Sequence, residues 1–407
     1  MASTVMDQRK PLTIKPTSGL WFLFLGLCLV IGLVSAAVVF WNGLVVTNMS
    51  DKVPWGLWIT IDLSSIALGA GAFTLSAVVY LFGVKQFRSI VRLAVLVGFT
   101  GYTSALLTLV MDIGRPDRFW HPWVFWNVHS VLWEITWCIT IYLTIMVLEF
   151  LPVIVEGSFF DRWPWIRKVA QVLHKAAPAF ALAGLLISLL HQSSLGATYG
   201  IVKSRPIWFK PSMPIMFILS AVAVGPVLTM AVAYVVEWVK GVKLVPDQVK
   251  RTIARFGGFA LLTYAYLKFW DLAAVSYYGR TPAVSQSLYL LNQQTPYNFG
   301  FWFGEIILGI ILPVFFFLSP LTNKKPAYLV LGAALATLGV VFNRWNVTVS
   351  GLLVPVQYSP GTTNIIEPGK YFPALSEWGI AVGIIGYALL VLTLGIRFLP
   401  LFKTNEH

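Results

Sequence analysis

The sequence predicts an all-α integral membrane protein of about ten transmembrane helices, and three observations carry that prediction. Of 407 residues, 57% are hydrophobic and only 11% are charged, against about 25% charged in a soluble domain. Apolar runs of roughly 20 residues, the length that crosses a bilayer core as a helix, recur along the whole chain. The short alternating segments of a membrane β-barrel are missing.

The runs place spans at 20–43, 57–83, 92–112, 129–152, 171–195, 212–238, 253–276, 299–319, 326–346 and 376–400. The first follows a polar, basic N-terminus and is too long for a signal peptide, so it reads as a retained helix. The second contains "IDLSSIALGAGAF", where Ser64, Ser65, Gly69 and Gly71 allow helices to approach closely. The third runs into "MDIGRPDRFWH", residues 111–121, which sets Asp112, Arg115, Asp117 and Arg118 at the mouth of one helix. The segment 158–168, "FFDRWPWIRKV", is short, aromatic and basic, and reads as an interfacial stretch between spans four and five. Asp112 and Asp271 close spans three and seven, and Glu134 and Glu305 lie at similar depths in spans four and eight. This faint parallel repeat suggests two four-helix bundles, 57–195 and 212–346, flanked by helices 20–43 and 376–400 within a single membrane domain.

The formal net charge is +13. Nucleic-acid binding is not the reason, because the basic residues are dispersed between spans. Arg9, Lys10, Arg88, Arg167, Lys168, Lys243, Lys250, Arg251, Lys324 and Lys325 fall in the N-terminus and the even-numbered loops. By the positive-inside rule both termini are then cytoplasmic. Loop five, with Lys203, Arg205 and Lys210, runs against this assignment. The orientation puts the 112–129 loop, "HQSSLG" at 191–196, Asp271 with Arg280, and the 347–375 loop on the outer face.

Asp62, Glu134, Glu149, Lys268, Asp271, Glu305, Arg344 and Glu377 lie in or at the edges of the spans. A charge at a lipid-facing midplane costs about 2.5–3.5 kcal/mol by insertion scales, so these residues should face the interior and pair. Singly, each is equally well explained by a structural hydrogen bond. As a group, Asp62, Glu134, Asp271, Glu305, Lys268 and Arg344 suggest a proton path or a polar pocket. Lys268 and Asp271, three apart on one helix, are expected to form an ion pair.

Cys28 and Cys138 have no metal-ligand spacing, so no metal or iron–sulfur cluster is expected in this chain. Five histidines do not supply the four buried axial ligands of a two-haem cytochrome b. One haem between His129 and His191, both read as span-end residues on the same side, stays geometrically open. The same region suits a quinone, whose carbonyl needs a hydrogen-bond donor able to pass a proton. Asp112, Arg115, His129, His191, Gln192, Ser193 and Ser194 supply polar groups. Trp120, Trp123, Phe125 and Trp126 supply flat walls, or equally an interfacial aromatic belt.

"PWGLWITIDL" at 54–63, "DIGRP" at 112–116, "SVLWE" at 130–134, "MVLEF" at 146–150 and "HQSSLG" at 191–196 together resemble the NrfD/PsrC (polysulfide reductase membrane subunit) family. "YFPALSEWGIAVG" at 371–383 extends the likeness, which is nearest to the ten-span HybB-like and QrcD-like branch. The resemblance implies a haem-free subunit of a menaquinone reductase complex in the bacterial inner membrane, with no redox centre of its own. It implies exchange of electrons between menaquinone and a periplasmic iron–sulfur (ferredoxin-like) subunit, with further periplasmic catalytic or cytochrome c subunits. It also implies that Asp112 and Arg115 lie at the quinone site with His191 close by, and that Asp62 and Glu134 are candidates for proton conduction. A non-redox ion- or proton-translocating transporter explains the spans and the buried acids equally. A co-purifying iron–sulfur subunit and quinone in the lipid extract discriminate the two. A passive anchor has no need of Glu134, Glu305 or Lys268 inside the membrane.

Overall fold

A computed structural model describes residues 17–155, 163–203, 205, 207–278, 288, 291–293, 296–353, 356–357, 365–366 and 369–402. Arg9, Lys10, Arg280 and the 158–162 part of the expected interfacial stretch lie outside them. The helices are α1 (Thr17–Asn42), α2 (Leu57–Gly69), α3 (Gly71–Tyr80), α4 (Arg88–Asp112), α5 (His121–Val124), α6 (Val131–Val155) and α7 (Pro164–Lys175). They continue as α8 (Ala177–Gly200), α9 (Met213–Lys240), α10 (Asp247–Tyr278), α11 (Phe299–Leu318), α12 (Pro326–Trp345) and α13 (Leu375–Phe398). A two-residue antiparallel pair, Val356–Gln357 with Ile365–Ile366, lies between α12 and α13.

Among the described residues, nine helical stretches are long and apolar enough to cross a bilayer, α2 and α3 together making one of them. α10 covers the span expected at 253–276. Its 32 residues reach about 48 Å, but Lys250, Arg251, Arg255, Lys268 and Asp271 dilute its apolar character. The chain is therefore an all-α, multi-pass membrane protein of about ten spans.

Three elements differ from the sequence expectation. The span expected at 171–195 begins later and runs further. Pro178 has no N–H for the carbonyl of His174, which weakens the ladder at that point, and α7 ends at Lys175. α7 exposes Trp165, Val169 and Val172 as well as Arg167, Lys168 and Lys175, the character of a helix lying in the interface. α8 then continues to Gly200. His191 is therefore not a span-end residue: it lies about 14 Å inside the helix. The second difference is in α11, where Phe299–Ile311 is π-wound. The ladder returns to α at Leu312, next to Pro313, whose missing N–H interrupts it. A second π turn, Asn346–Ser350, prolongs α12 into what was expected to be loop.

α2, α3, α4, α6 and α8 pack on one another, as do α9 to α12. α9 lies against α2, α3, α4 and α8, and α12 lies against α2, so the two groups share one long seam. α1 pairs with α13, which leans on α4. Lipid tails are as apolar as leucine, so close van der Waals contact, not hydrophobic exclusion, holds such helices together. One close approach on the seam is Gly71 of α3 against Gly225 of α9. A Cβ on Gly71 would lie 2.2 Å from the Gly225 carbonyl carbon.

At the end of the bundle where α9 stops and α10 starts, Lys250 is fully buried. It pairs with Glu237 and, at 3.2 Å, with Asp247, and its ammonium lies 4.1 Å from the centre of the Tyr234 ring. Glu237 also accepts the backbone N–H groups of Leu244 and Val245. This end carries Lys85, Arg88, Arg92, Lys240, Lys243, Arg251, Arg255, Lys324 and Lys325. At the opposite end, two of the three basic residues of loop five are committed internally. Arg205 donates to the carbonyls of Gly351 (2.9 Å) and Leu352 (3.2 Å), and Lys210 pairs with Asp271 at 2.5 Å.

Candidate functional site

Two polar clusters lie toward the less basic end, one on each side of the seam. The first is built by α2, α4, α6 and α8. Asp62 lies about 8 Å inside the start of α2. It is 1% exposed, and neither carboxylate oxygen has a hydrogen-bond partner. Asp112, the last residue of α4, has its Oδ1 buried and likewise unpartnered, and is an electrostatic neighbour of Asp62 and Glu377. His191 is buried on α8 with a free Nε2, and both amide atoms of the buried Gln192 are free. The His191 ring lies 6.3 Å from that of Tyr102, which stacks on Tyr142 at 3.7 Å. The hydroxyl of Ser104 adds another buried polar atom without a partner, and those of Tyr102 and Tyr142 lie beside each other and Ser188. Buried polar groups in folded proteins are nearly always satisfied. This concentration of free donors and acceptors marks the first cluster as a candidate site for polar atoms from outside the chain. A quinone headgroup fits its chemistry, since His191, Gln192 and the phenols can donate to a carbonyl.

The mouth is arranged differently from expectation. Gly114 takes φ +73° after α4, and Pro116 opens a single 3₁₀ turn. That turn brings Asp117 under Arg115, which forks onto it with two contacts of 3.0 Å. Arg115 therefore faces solvent, not the interior. The fork holds the Asp117 carboxyl below the usual carboxylate range, but on so exposed a pair it adds little stability. Trp120 and His129 are also exposed. Ser193 donates to the Leu190 carbonyl of its own helix, 2.8 Å away. Glu134 is half-buried in the first turn of α6.

The second cluster belongs to α9 to α12. Glu305, in the π-wound part of α11, is 1% exposed and fully partnered. Lys268 pairs with it at 2.5 Å, the Tyr264 hydroxyl and Asn343 donate to Oε1 (3.1 and 2.9 Å), and Asn346 donates to Oε2 (2.8 Å). The expected Lys268–Asp271 pair does not form. Neighbouring elements bring each partner a closer opposite charge, Glu305 to Lys268 and Lys210 to Asp271. Arg344 is fully buried, donates to Asn343 Oδ1 and to Ser220 Oγ (2.9 Å), and lies 3.8 Å from the Phe217 ring centre. A cavity of about 30 Å³ touches Lys210, Lys268, Asn343 and Asn346, room for a single water.

Tyr199 and Arg344 stand between the clusters. Tyr199 is an electrostatic neighbour of Asp62, Asp112 and Arg344. Thr60, two residues before Asp62, shares a 3.0 Å hydrogen bond with Thr348 of the second π turn. Sequence reasoning passed over Tyr199, Ser220, Tyr264, Asn343, Asn346 and Thr348. The signal was "NRWNVTVS" at 343–350, a polar run closing an apolar helix.

Arg344 makes no ion pair among the described residues. Met in its place keeps an apolar stem on Phe217 and removes a desolvated charge. Removing the charge lifts its desolvation cost, and against that stand the two acceptors left open, Asn343 Oδ1 and Ser220 Oγ. The Arg344→Met chain is therefore expected to unfold within about 2 kcal/mol of wild type in a detergent thermal melt.

A polytopic helical membrane protein with two buried polar clusters in its interior is the class these features define. The chain belongs to the NrfD family: the family described as Polysulphide reductase, NrfD matches residues 45–356. It is 34% identical over 393 residues to the "Menaquinone reductase, integral membrane subunit" of Nitratidesulfovibrio vulgaris, covering 94% of this chain and 91% of the relative. It is 28% identical over 377 residues to the "Probable Ni/Fe-hydrogenase 2 b-type cytochrome subunit" of Escherichia coli, covering 89% and 88%. It is 23% identical over 362 residues to the "Hdr-like menaquinol oxidoreductase integral membrane subunit" of Archaeoglobus fulgidus, covering 87% and 86%. Its relatives are thus membrane subunits of multi-subunit oxidoreductase complexes.

Proposed function

We propose that this chain binds menaquinone in the first cluster and serves as the membrane subunit of a respiratory complex in the bacterial inner membrane. The complex exchanges electrons between menaquinone and a periplasmic iron–sulfur, ferredoxin-like subunit, joined by periplasmic catalytic or cytochrome c subunits. The carrying observation is the set of free buried polar atoms on Asp62, Asp112, His191 and Gln192. When bound, the quinone supplies a two-electron, two-proton couple. His191 and Gln192 hold its carbonyl by hydrogen bonds. Asp112, at the mouth, exchanges a proton with the outer side. Arg115, Asp117, Trp120 and His129, all exposed, belong to the face that docks the partner. Among the described histidines His191 alone is buried, and in this reading the chain binds no haem of its own. The concentration of Lys and Arg at the opposite end supports cytoplasmic termini.

Asp62, Tyr199, Arg344, Asn343, Glu305 and Lys268 form a lateral polar route across the seam. In this reading it carries protons between two halves, 57–195 and 212–346, with Glu134 and Asp271 at its outer margin.

The test is reduction of a menaquinone analogue by the purified complex. Asp112→Asn and His191→Ala are each expected to lower turnover at least about 100-fold, the usual scale for removing a positioned proton-transfer group. Assembly and partner-cluster reduction should remain intact. Unchanged turnover in both variants moves the quinone elsewhere and favours the non-redox transporter.

A further inference from the structure

The basic end carries a groove that the quinone site does not use. Its upper lobe, about 350 Å³, is lined by Gln248, Arg251, Thr252, Arg255 and Lys324. Its lower lobe, about 360 Å³, is lined by Arg255, Phe259, Leu318, Pro320, Asn323 and Lys324. The lobes share Arg255 and Lys324, so they form one continuous groove. The upper lobe is polar and cationic, the lower lobe largely apolar.

Arg251, Arg255 and Lys324 make no ion pair with any described residue. The acids nearest in sequence, Glu237 and Asp247, are already engaged by Lys250 and Lys243. Asn323 is 4% exposed, and its Oδ1 has no partner. Arg251 and Arg255 are one turn apart on α10, and Phe259, 63% exposed, is one turn further. Arg251 to Phe259 spans about 12 Å along the helix, the distance over which an interfacial headgroup gives way to acyl chain.

We propose that this groove holds one anionic glycerophospholipid of the phosphatidylglycerol type. Arg251, Arg255 and Lys324 hold its phosphate. Asn323 Oδ1 accepts a hydrogen bond from a lipid hydroxyl. The first acyl carbons lie on Phe259, Leu318 and Pro320. The apolar lobe selects a lipid over free phosphate, which has nothing to place there. The unpaired cations select an anionic lipid over a zwitterionic one. The inference is independent of the quinone reading, because none of these residues belongs to either polar cluster.

The test uses the full chain purified in detergent, with lipid retention read by mass spectrometry and stabilisation read by thermal melts. Added phosphatidylglycerol is expected to raise Tm, whereas phosphatidylcholine and inorganic phosphate are not. Each basic residue near a membrane surface is worth about a fivefold change in affinity for anionic lipid. Lys324→Gln should weaken phosphatidylglycerol binding about fivefold, and Arg251→Gln with Arg255→Gln roughly 30-fold. Arg255→Lys, which keeps the charge, should retain it. Lys324 is exposed on a loop, so its variant carries the test if the double variant does not fold. Equal stabilisation by phosphatidylcholine, equal stabilisation by inorganic phosphate, or undiminished retention in Lys324→Gln each overturns the proposal.

Discussion

Lys268→Met is expected to lower the stability of the folded chain by about 3–5 kcal/mol. The reason is the carboxylate it leaves behind. Glu305 is 1% exposed, and Lys268 is its one cationic partner among the described residues. Tyr264, Asn343 and Asn346 still donate to it, but neutral donors do not cancel a full charge in a low-dielectric interior. The loss should appear as a lower Tm in detergent and as poor assembly of the complex. Lys268→Met combined with Glu305→Gln removes both charges and keeps an acceptor for two of the three donors, Tyr264 and Asn343. That double variant should recover most of the stability. A single variant as stable as wild type would show that Glu305 is held protonated or that water enters beside it.

Gly71→Leu is expected to have a comparable effect by a different mechanism. The position faces backbone, not a side chain that can rotate away: Gly225 atoms lie 2.2, 2.5 and 2.7 Å from the added Cβ. Overpacking a well-packed interior costs about 1–3 kcal/mol, and more where neither side can yield. The cost should therefore reach or exceed about 3 kcal/mol, measured by thermal unfolding. Gly26→Leu is the control, since its Cβ meets nothing within 4 Å, and it should leave Tm unchanged. The Gly71–Gly225 contact holds the α3–α9 crossing and with it the register of the two clusters. Quinone turnover of any surviving Gly71→Leu protein should fall as well.

Much of the architecture was legible because a bilayer leaves a chain few options. Unsatisfied backbone groups are excluded from hydrocarbon, so each apolar run of sufficient length is a helix. Span number followed from composition, and the family from a few motifs. Boundaries were less secure where proline intervened. Pro178 divided one expected span into α7 and α8, which carried His191 from the mouth into the interior. The π winding around Glu305 had no clear periodic signal, because it depends on a local break at Pro313 and on what packs beside it.

The site was partly legible. Asp62, Asp112, His191, Gln192, Glu305, Lys268 and Arg344 stand out because polar residues are rare in this chain, and burial brought them into two clusters. Which of them touch was not legible. Lys268 and Asp271 share a helix face, yet each pairs across to another element. Arg115 follows Asp112 by three residues, yet Gly114 turns it out to solvent, where it pairs with Asp117.

The sequence by itself determined the membrane class, the span count, the family and the short list of polar residues, because each rests on composition or on contiguous motifs. Tertiary structure alone decided the pairing of charges, the depth of His191, the link through Tyr199 and Arg344, and the lipid-sized groove at the basic end. Those depend on residues far apart in the chain meeting at a few ångströms. Inside a membrane the cost of an unpaired charge falls so steeply with a near partner that proximity, not sequence spacing, chooses the partner.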